Sequence, residues 1–268
     1  MSESFLTAQE QSTDATALSV NLNKVALLRN ARALDIPSVL KAARVCLQAG
    51  AHGLTVHPRP DARHIRESDV LQLSGLLKEW PTREFNIEGN PFHNLMDLVQ
   101  RFRPHQATLV PDSMEQSTSD HGWQLPKDMD ALRPIVQQLK DWQVRVSLFM
   151  DPIADMMIHC KALGVQRVEL YTEGFARAHA KDLQGNTTHH ARQAIQPYIE
   201  AAKAAQALGL QVNAGHDLSA LNLKYFLTHV PRVKEVSIGQ AFMADALENG
   251  YASTVQLYLD QMTGALKP

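Results

Sequence analysis

Two histidines and two glutamates stand where apolar runs give way to polar residues. His57 closes "GLTVH", Glu88 lies in "EFNIEGN", Glu169 in "RVELY", and His216 follows "LQVNAG". Histidine titrates near neutral pH, and a buried carboxyl has a raised pKa, so this set suits proton transfer. Around His57 the stretch "HPRPDARHIR" adds Arg59, Arg63, His64 and Arg66. Arg29 and Arg32 lie in "LLRNAR", and arginine forks match phosphate oxygens. Lys24 directly follows the first apolar run. It is able to form a Schiff base, although binding an anion is the commoner fate of such a lysine. "NAGHD" and "SIGQA" each bring a glycine to the end of an apolar run, as phosphate loops do. No H-x-H, H-E-x-x-H or G-x-S-x-G spacing is present, so the pattern points to neither a metal nor a nucleophile.

Each of these residues needs an element to carry it. Eight strands are predicted, at 18–23, 53–57, 84–88, 107–111, 144–149, 167–171, 210–214 and 235–239. Helical patterns such as 37–50 and 94–102 lie between them, and the gap 172–209 is long enough for an extra helix or a lid. Eight strand–helix units predict a closed parallel barrel, one domain over 18–268, preceded by a loose polar extension at 1–17. Fully buried parallel strands are normally apolar throughout. These alternate instead: Val20 and Leu22 flank Asn21, Leu54 and Val56 flank Thr55, Phe85 and Ile87 flank Asn86. If the apolar set packs beneath the helices, the polar set points into the barrel. Asn21, Asn23, His57, Glu88, Glu169, Tyr171 and Asn213 then converge toward the carboxyl ends of the strands, where barrel enzymes keep their chemistry. For Glu169 a structural alternative is partnership with an interior arginine, and for Glu88 a helix-start acid.

The chain has 268 residues, 44% hydrophobic and 20% charged, with a formal net charge of -2. A sizeable core is expected, and no nucleic acid or anionic membrane partner. Cys46 and Cys160, each among apolar neighbours, read as reduced core residues. No apolar run approaches a membrane span and the first residues lack a signal-peptide pattern, so the cytoplasm is the default location.

In order along the chain, "VNLNKVALLRNAR", "GLTVHPRPDARHI", "NIEGN", "LVPD", "VSLFMD", "VELYTEGFA", "LGLQVNAGHDL" and "EVSIGQA" resemble the blocks of the pyridoxine 5'-phosphate synthase family. The resemblance implies a TIM (β/α)8 barrel with extra helices, assembled as a homo-octamer. It implies condensation of 3-amino-2-oxopropyl phosphate with 1-deoxy-D-xylulose 5-phosphate to pyridoxine 5'-phosphate, inorganic phosphate and water, without metal or organic cofactor. By motif, His57 and Glu88 are the implied proton acceptors, His216 the donor, and Glu169 the stabiliser of a charged transition state. Asn21 and Arg32 are implied to hold the aminoketone phosphate, with Asp217, Gly239 and Gln240 in its phosphate loops. Asn23, Lys24, Arg59, His64 and Thr118 are implied to hold the sugar phosphate. Four positions depart from the commoner pattern: Asn23-Lys24 replaces Asp-His, Asp217 replaces glycine and Gln240 replaces histidine. An acid beside a phosphate must turn away or be offset. Two other functions fit the residues less fully: a phosphosugar isomerase or aldolase on the same barrel, and a paralogue that binds phosphometabolites without turnover.

Overall fold

A computed structural model describes residues 15–264 apart from Ser117. Its eight strands are β1 (Ala17–Asn21), β2 (Gly53–Val56), β3 (Glu84–Gly89), β4 (Gln106–Leu109), β5 (Arg145–Met150), β6 (Arg167–Tyr171), β7 (Gln211–His216) and β8 (Val233–Ile238). They pair in sequence order, all parallel, and β8 closes on β1. The expected strands are all present, shifted at their ends by a residue or two. The expected extension at 1–17 falls mostly outside the described residues. Its last residue, Ala17, opens β1, and the buried Thr16 hydroxyl donates to Val233 O at 2.8 Å.

The helices that matter for the mouth are α1 (Asn23–Asn30), α2 (Val39–Gln48), α3 (Glu67–Leu77), α4 (Leu95–Phe102), α5 (Met129–Asp141) and α6 (Met157–Leu163). Then come α7 (Glu173–Gly185), α8 (His189–Ala194), α9 (Gln196–Ala207), α10 (Leu223–His229), α11 (Gln240–Asn249) and α12 (Tyr251–Thr263). The gap after β6 holds extra helix: α7, α8 and α9 all precede β7. Asn23, expected to end β1, instead begins α1. Ser38 caps α2 by accepting from Lys41 N at 3.2 Å. Asp69 holds the start of α3 by accepting from Arg66 N at 2.8 Å.

Alternation places two kinds of core on the two faces of the sheet. Leu18, Val20, Leu54, Val56, Ile87, Val168, Leu170, Val212, Val236 and Ile238 are fully buried in one apolar cluster with the helices. The other face is polar and bonded across the barrel. Ser19 and Thr55 hydroxyls lie 2.7 Å apart, and Thr108 donates to Asn86 at 3.1 Å. At the amino-terminal floor, Arg167 donates to Gln106 at 3.0 Å, Gln211 at 2.8 Å and Glu235 at 3.1 Å. Arg145 pairs with Glu84 beside it. The interior arginine thus takes Glu235 as its partner, which leaves Glu169 free of that structural duty. Cys46 and Cys160 are free thiols in the core, each pushed up to about 12 by burial. No helix among the described residues is long and apolar enough to cross a membrane.

Candidate active site

The carboxyl ends of the strands enclose a cavity of about 250 Å³. Its lining includes His57, Glu88, Glu169 and His216, together with Asn21, Asn23, Lys24, Arg59, His64, Thr118, Asp217, Gly239 and Gln240. Every residue that the family resemblance assigns to the site therefore lines it except Arg32. That side chain is exposed, in the turn after α1, and does not line the cavity. Arg29 also stands apart, buried against Asp69 and donating to His64 O at 3.1 Å. With Asn30, which donates to His64 O at 2.8 Å, it braces the turn that presents His64. Tyr171 packs on the His216 ring at 5.2 Å, while Asn213 lies one layer deeper and does not line the cavity.

Glu88 and Glu169 are both buried, at 8% and 2% exposure. Burial, then the charge of Glu169, drives the Glu88 carboxyl well above the ordinary range. Burial, then Glu235, pushes Glu169 up to about 8. Asn86 and Asn21 amides reach Glu88 at 3.4 and 3.5 Å, and Glu169 Oε2 has no partner among the described residues. A buried acceptor without a partner inside a cavity marks a ligand position. Gly215 is what admits Glu169: a Cβ there would stand 2.3 Å from Glu169 Oε1. The positive φ at this strand end belongs not to Gly215 but to the next residue, His216, at 91°.

His57 sits 4.0 Å from Glu88 through Nδ1 and 3.4 Å from Asp112 through Nε2. Burial, then the Arg59 cation, holds its pKa well below the usual value, so the ring is neutral and able to accept a proton. Asn23 Oδ1 accepts from His57 N at 2.8 Å, tying the start of α1 to the end of β2. His64 is lowered to about 4 by burial and then Arg59, and its Nδ1 accepts from Ile65 N at 2.9 Å. That bond leaves the proton on Nε2. Arg59 pairs with Asp112 and donates to Gln116 O at 2.7 Å and Ser113 O at 3.2 Å. Arg63 holds the same loop through Gln116 O and Met114 O, at 2.8 and 2.7 Å. In this stretch, then, His57, Arg59 and His64 face the cavity, while Arg63 and Arg66 (on Asp35) bind protein. Lys24 is half-buried at the mouth with no ion-pair partner among the described residues.

Across the cavity, His216 Nε2 lies 2.7 Å from Thr118 Oγ1 and Nδ1 lies 2.6 Å from Asp217 Oδ2. Asp217 is thus offset by a histidine. The α11 N-terminus reaches the cavity through Gly239 and Gln240; a Cβ on Gly239 would meet Asn21 at 3.1 Å. Asp112, Phe149, Ser119 and Ser237 were missed as site residues. Asp112 sits in "LVPD" two residues after Val110, and only its ion pair with Arg59, 53 positions earlier in sequence, reveals its place.

A closed barrel of this kind, with buried acids and the neutral ring of His57 at its carboxyl mouth, defines a TIM-barrel enzyme site suited to proton transfer. Solved barrels agree on the fold. Thiamine phosphate pyrophosphorylase from Pyrococcus furiosus aligns with TM-score 0.59 at 10% identity, covering 95% of this chain and 98% of that one. A Mycobacterium tuberculosis tryptophan synthase chain aligns with TM-score 0.63 at 12% identity, covering 95% and 94%. The model of the family described as "Pyridoxal phosphate biosynthesis protein PdxJ" matches residues 18–264, and the chain belongs to that family. Relatives named pyridoxine 5'-phosphate synthase come from Albidiferax ferrireducens (57% identical, covering 91% of this chain and 96% of the relative) and Porphyromonas gingivalis (46%, covering 92% and 99%).

Proposed function

We propose that this protein condenses 3-amino-2-oxopropyl phosphate with 1-deoxy-D-xylulose 5-phosphate to pyridoxine 5'-phosphate, inorganic phosphate and water. The single observation that carries the reading is the meeting of His57, Glu88, Glu169 and His216 around one cavity in a chain of this family. Imine formation, phosphate loss, ring closure and dehydration each move protons, and they need neither nucleophile nor metal. The relatives give no support to a phosphosugar isomerase or aldolase.

The neutral His57 ring accepts a proton from the bound substrate, with Glu88 4.0 Å away as the second acceptor. Burial and the neighbouring acids favour the protonated form of Glu88; an amine or iminium brought beside it favours its carboxylate and frees the base. The same cation favours the carboxylate form of Glu169, whose charge then stands against the positive transition state. His216, whose Nε2 lies 2.7 Å from Thr118 Oγ1, returns a proton on the opposite wall once its ring is doubly protonated. Lys24, Arg59, His64, Asn23 and Thr118 hold the sugar phosphate at the α1 end. Asn21, Gly239 and Gln240 hold the aminoketone phosphate at the α11 N-terminus, where backbone N–H groups and the helix dipole favour an anion.

Arg32 does not reach the cavity of its own chain. Leu27, Leu28, Leu34 and Ile36 are exposed around it, which suits a surface covered by another copy. Its assignment to the aminoketone phosphate goes with a homo-octamer in which it faces a neighbour's mouth. A cytoplasmic location accords with such a biosynthetic role. Incubation with both substrates, followed by absorbance of the pyridoxine product, tests the reading. Product is expected only when both are present. No product at millimolar substrate, or turnover of one sugar phosphate alone, contradicts it.

A further inference from the structure

We propose that Asp217 is a positioning residue whose side-chain carboxylate fixes the proton of His216 on Nδ1, rather than a part of the phosphate grip. The inference rests on the synthase reading, in which His216 is the proton donor. Two observations exclude Asp217 from holding phosphate. Its carboxylate is engaged on the His216 ring and, as an acceptor only, offers a phosphate no hydrogen. Its backbone N–H is engaged on Thr172 Oγ1 at 3.3 Å, so the main chain offers no free donor there.

What the carboxylate does touch is the imidazole, with Oδ2 2.6 Å from Nδ1. An ionised carboxylate only accepts, so the Nδ1 position must carry the hydrogen. The other nitrogen, Nε2, is then the atom that gains and loses the catalytic proton, and it faces Thr118 Oγ1 at 2.7 Å. Consecutive residues in a strand point to opposite faces, and two neighbours rarely meet in this way. The backbone makes it happen. His216 has φ 91°, a conformation that side chains other than glycine rarely adopt. It is held there because the Gly215 carbonyl accepts from both Thr172 N at 3.3 Å and Thr172 Oγ1 at 2.8 Å. Strain held at one residue, with an acid–imidazole–hydroxyl line as its result, is the arrangement expected where orientation matters. Phe149 and Tyr171 wall the ring at 6.4 and 5.2 Å, which leaves the carboxylate as the group that selects the tautomer.

Nitrogen-resolved NMR of the His216 ring, assigned with a His216→Asn variant, reads the tautomer without any need for turnover. In the neutral ring of the wild type Nδ1 is expected to be protonated, and Asp217→Ala is expected to move the proton toward Nε2. Steady-state kinetics give the functional side. Asp217→Ala should lower kcat at least ~10-fold with KM for each substrate within ~3-fold, and Asp217→Glu should restore part of it. In a His216→Asn background Asp217→Ala should cost nothing further. A wild-type ring protonated on Nε2 overturns the proposal. So does an Asp217→Ala protein that loses only substrate affinity, or one that loses as much again without His216. If the wild type makes no product, the synthase reading fails while the tautomer measurement still decides the positioning role.

Discussion

At the residue scale, environment assigns the chemistry. His57, Glu88 and Glu169 are ordinary acid–base side chains, and burial sets their working states. For Glu169 the consequence for stability has a definite sign. Its folded pKa, about 8, lies above the unfolded carboxylate value, so the folded state binds the extra proton. The stability associated with that proton is full below the unfolded value near pH 4.5 and is lost as pH rises to about 8. Glu169→Gln should therefore melt higher than the wild type, with a larger gain at pH 9 than at pH 5. Equal gains at both pH values, measured by thermal unfolding, would show that Glu169 is not held protonated. Gly215→Ala is the steric counterpart. Its Cβ would collide with Glu169 Oε1, so turnover should drop and stability fall by ~1–3 kcal/mol, most of it recovered in a Glu169→Ala background.

At the element scale, a repeated device fixes where strands begin. His52, before β2, accepts from Leu18 N at 3.1 Å; His105, before β4, accepts from Phe85 N at 3.0 Å; Gln166, before β6, accepts from Val146 N at 2.9 Å. Each side chain satisfies a strand N–H at the barrel floor. Protonation of either histidine would replace the acceptor with a donor. Both rings are lowered from the ordinary value, chiefly by burial. Their contribution is full above about pH 6.5 and is lost as pH falls through their depressed folded values. Acid unfolding should set in below pH 6.5, and His52→Gln, which keeps an acceptor, should flatten that dependence. An unchanged profile would remove the role. The strands themselves were legible because their apolar residues alternate with polar ones, and the side facing the helices has to be apolar. The ends were less legible: Asn23 continues an alternating pattern, yet its side chain is spent on His57 N and the chain has already turned into α1. Arg32 was legible as a cation but not as an exposed one, because nothing in "LLRNAR" reveals where α1 stops. Asp217 reads as an awkward neighbour of phosphate until the backbone at His216 is seen.

At the scale of the whole molecule, the barrel interior is a polar column closed at its floor and open at its mouth. The mouth binds and reacts, while the floor is sealed by Arg145, Arg167, Glu84 and Glu235. Arg167 is 9% exposed and Glu235 4%, so the pair is expensive to break. Arg167→Met should destabilise by ~3–5 kcal/mol by leaving Glu235 charged and alone, and adding Glu235→Gln should return most of it. Additive losses in urea unfolding would show that the two do not act as a pair. The central claim concerns the mouth: an acid–base set gathered in one cavity performs the condensation. Glu88→Gln tests it most directly, through the single-turnover rate of pyridoxine 5'-phosphate formation at saturating substrates, with the fold checked by circular dichroism. A fall of about 10²–10⁴-fold is expected in a protein that folds as the wild type does. A Glu88→Gln protein that forms product at the wild-type rate would contradict it.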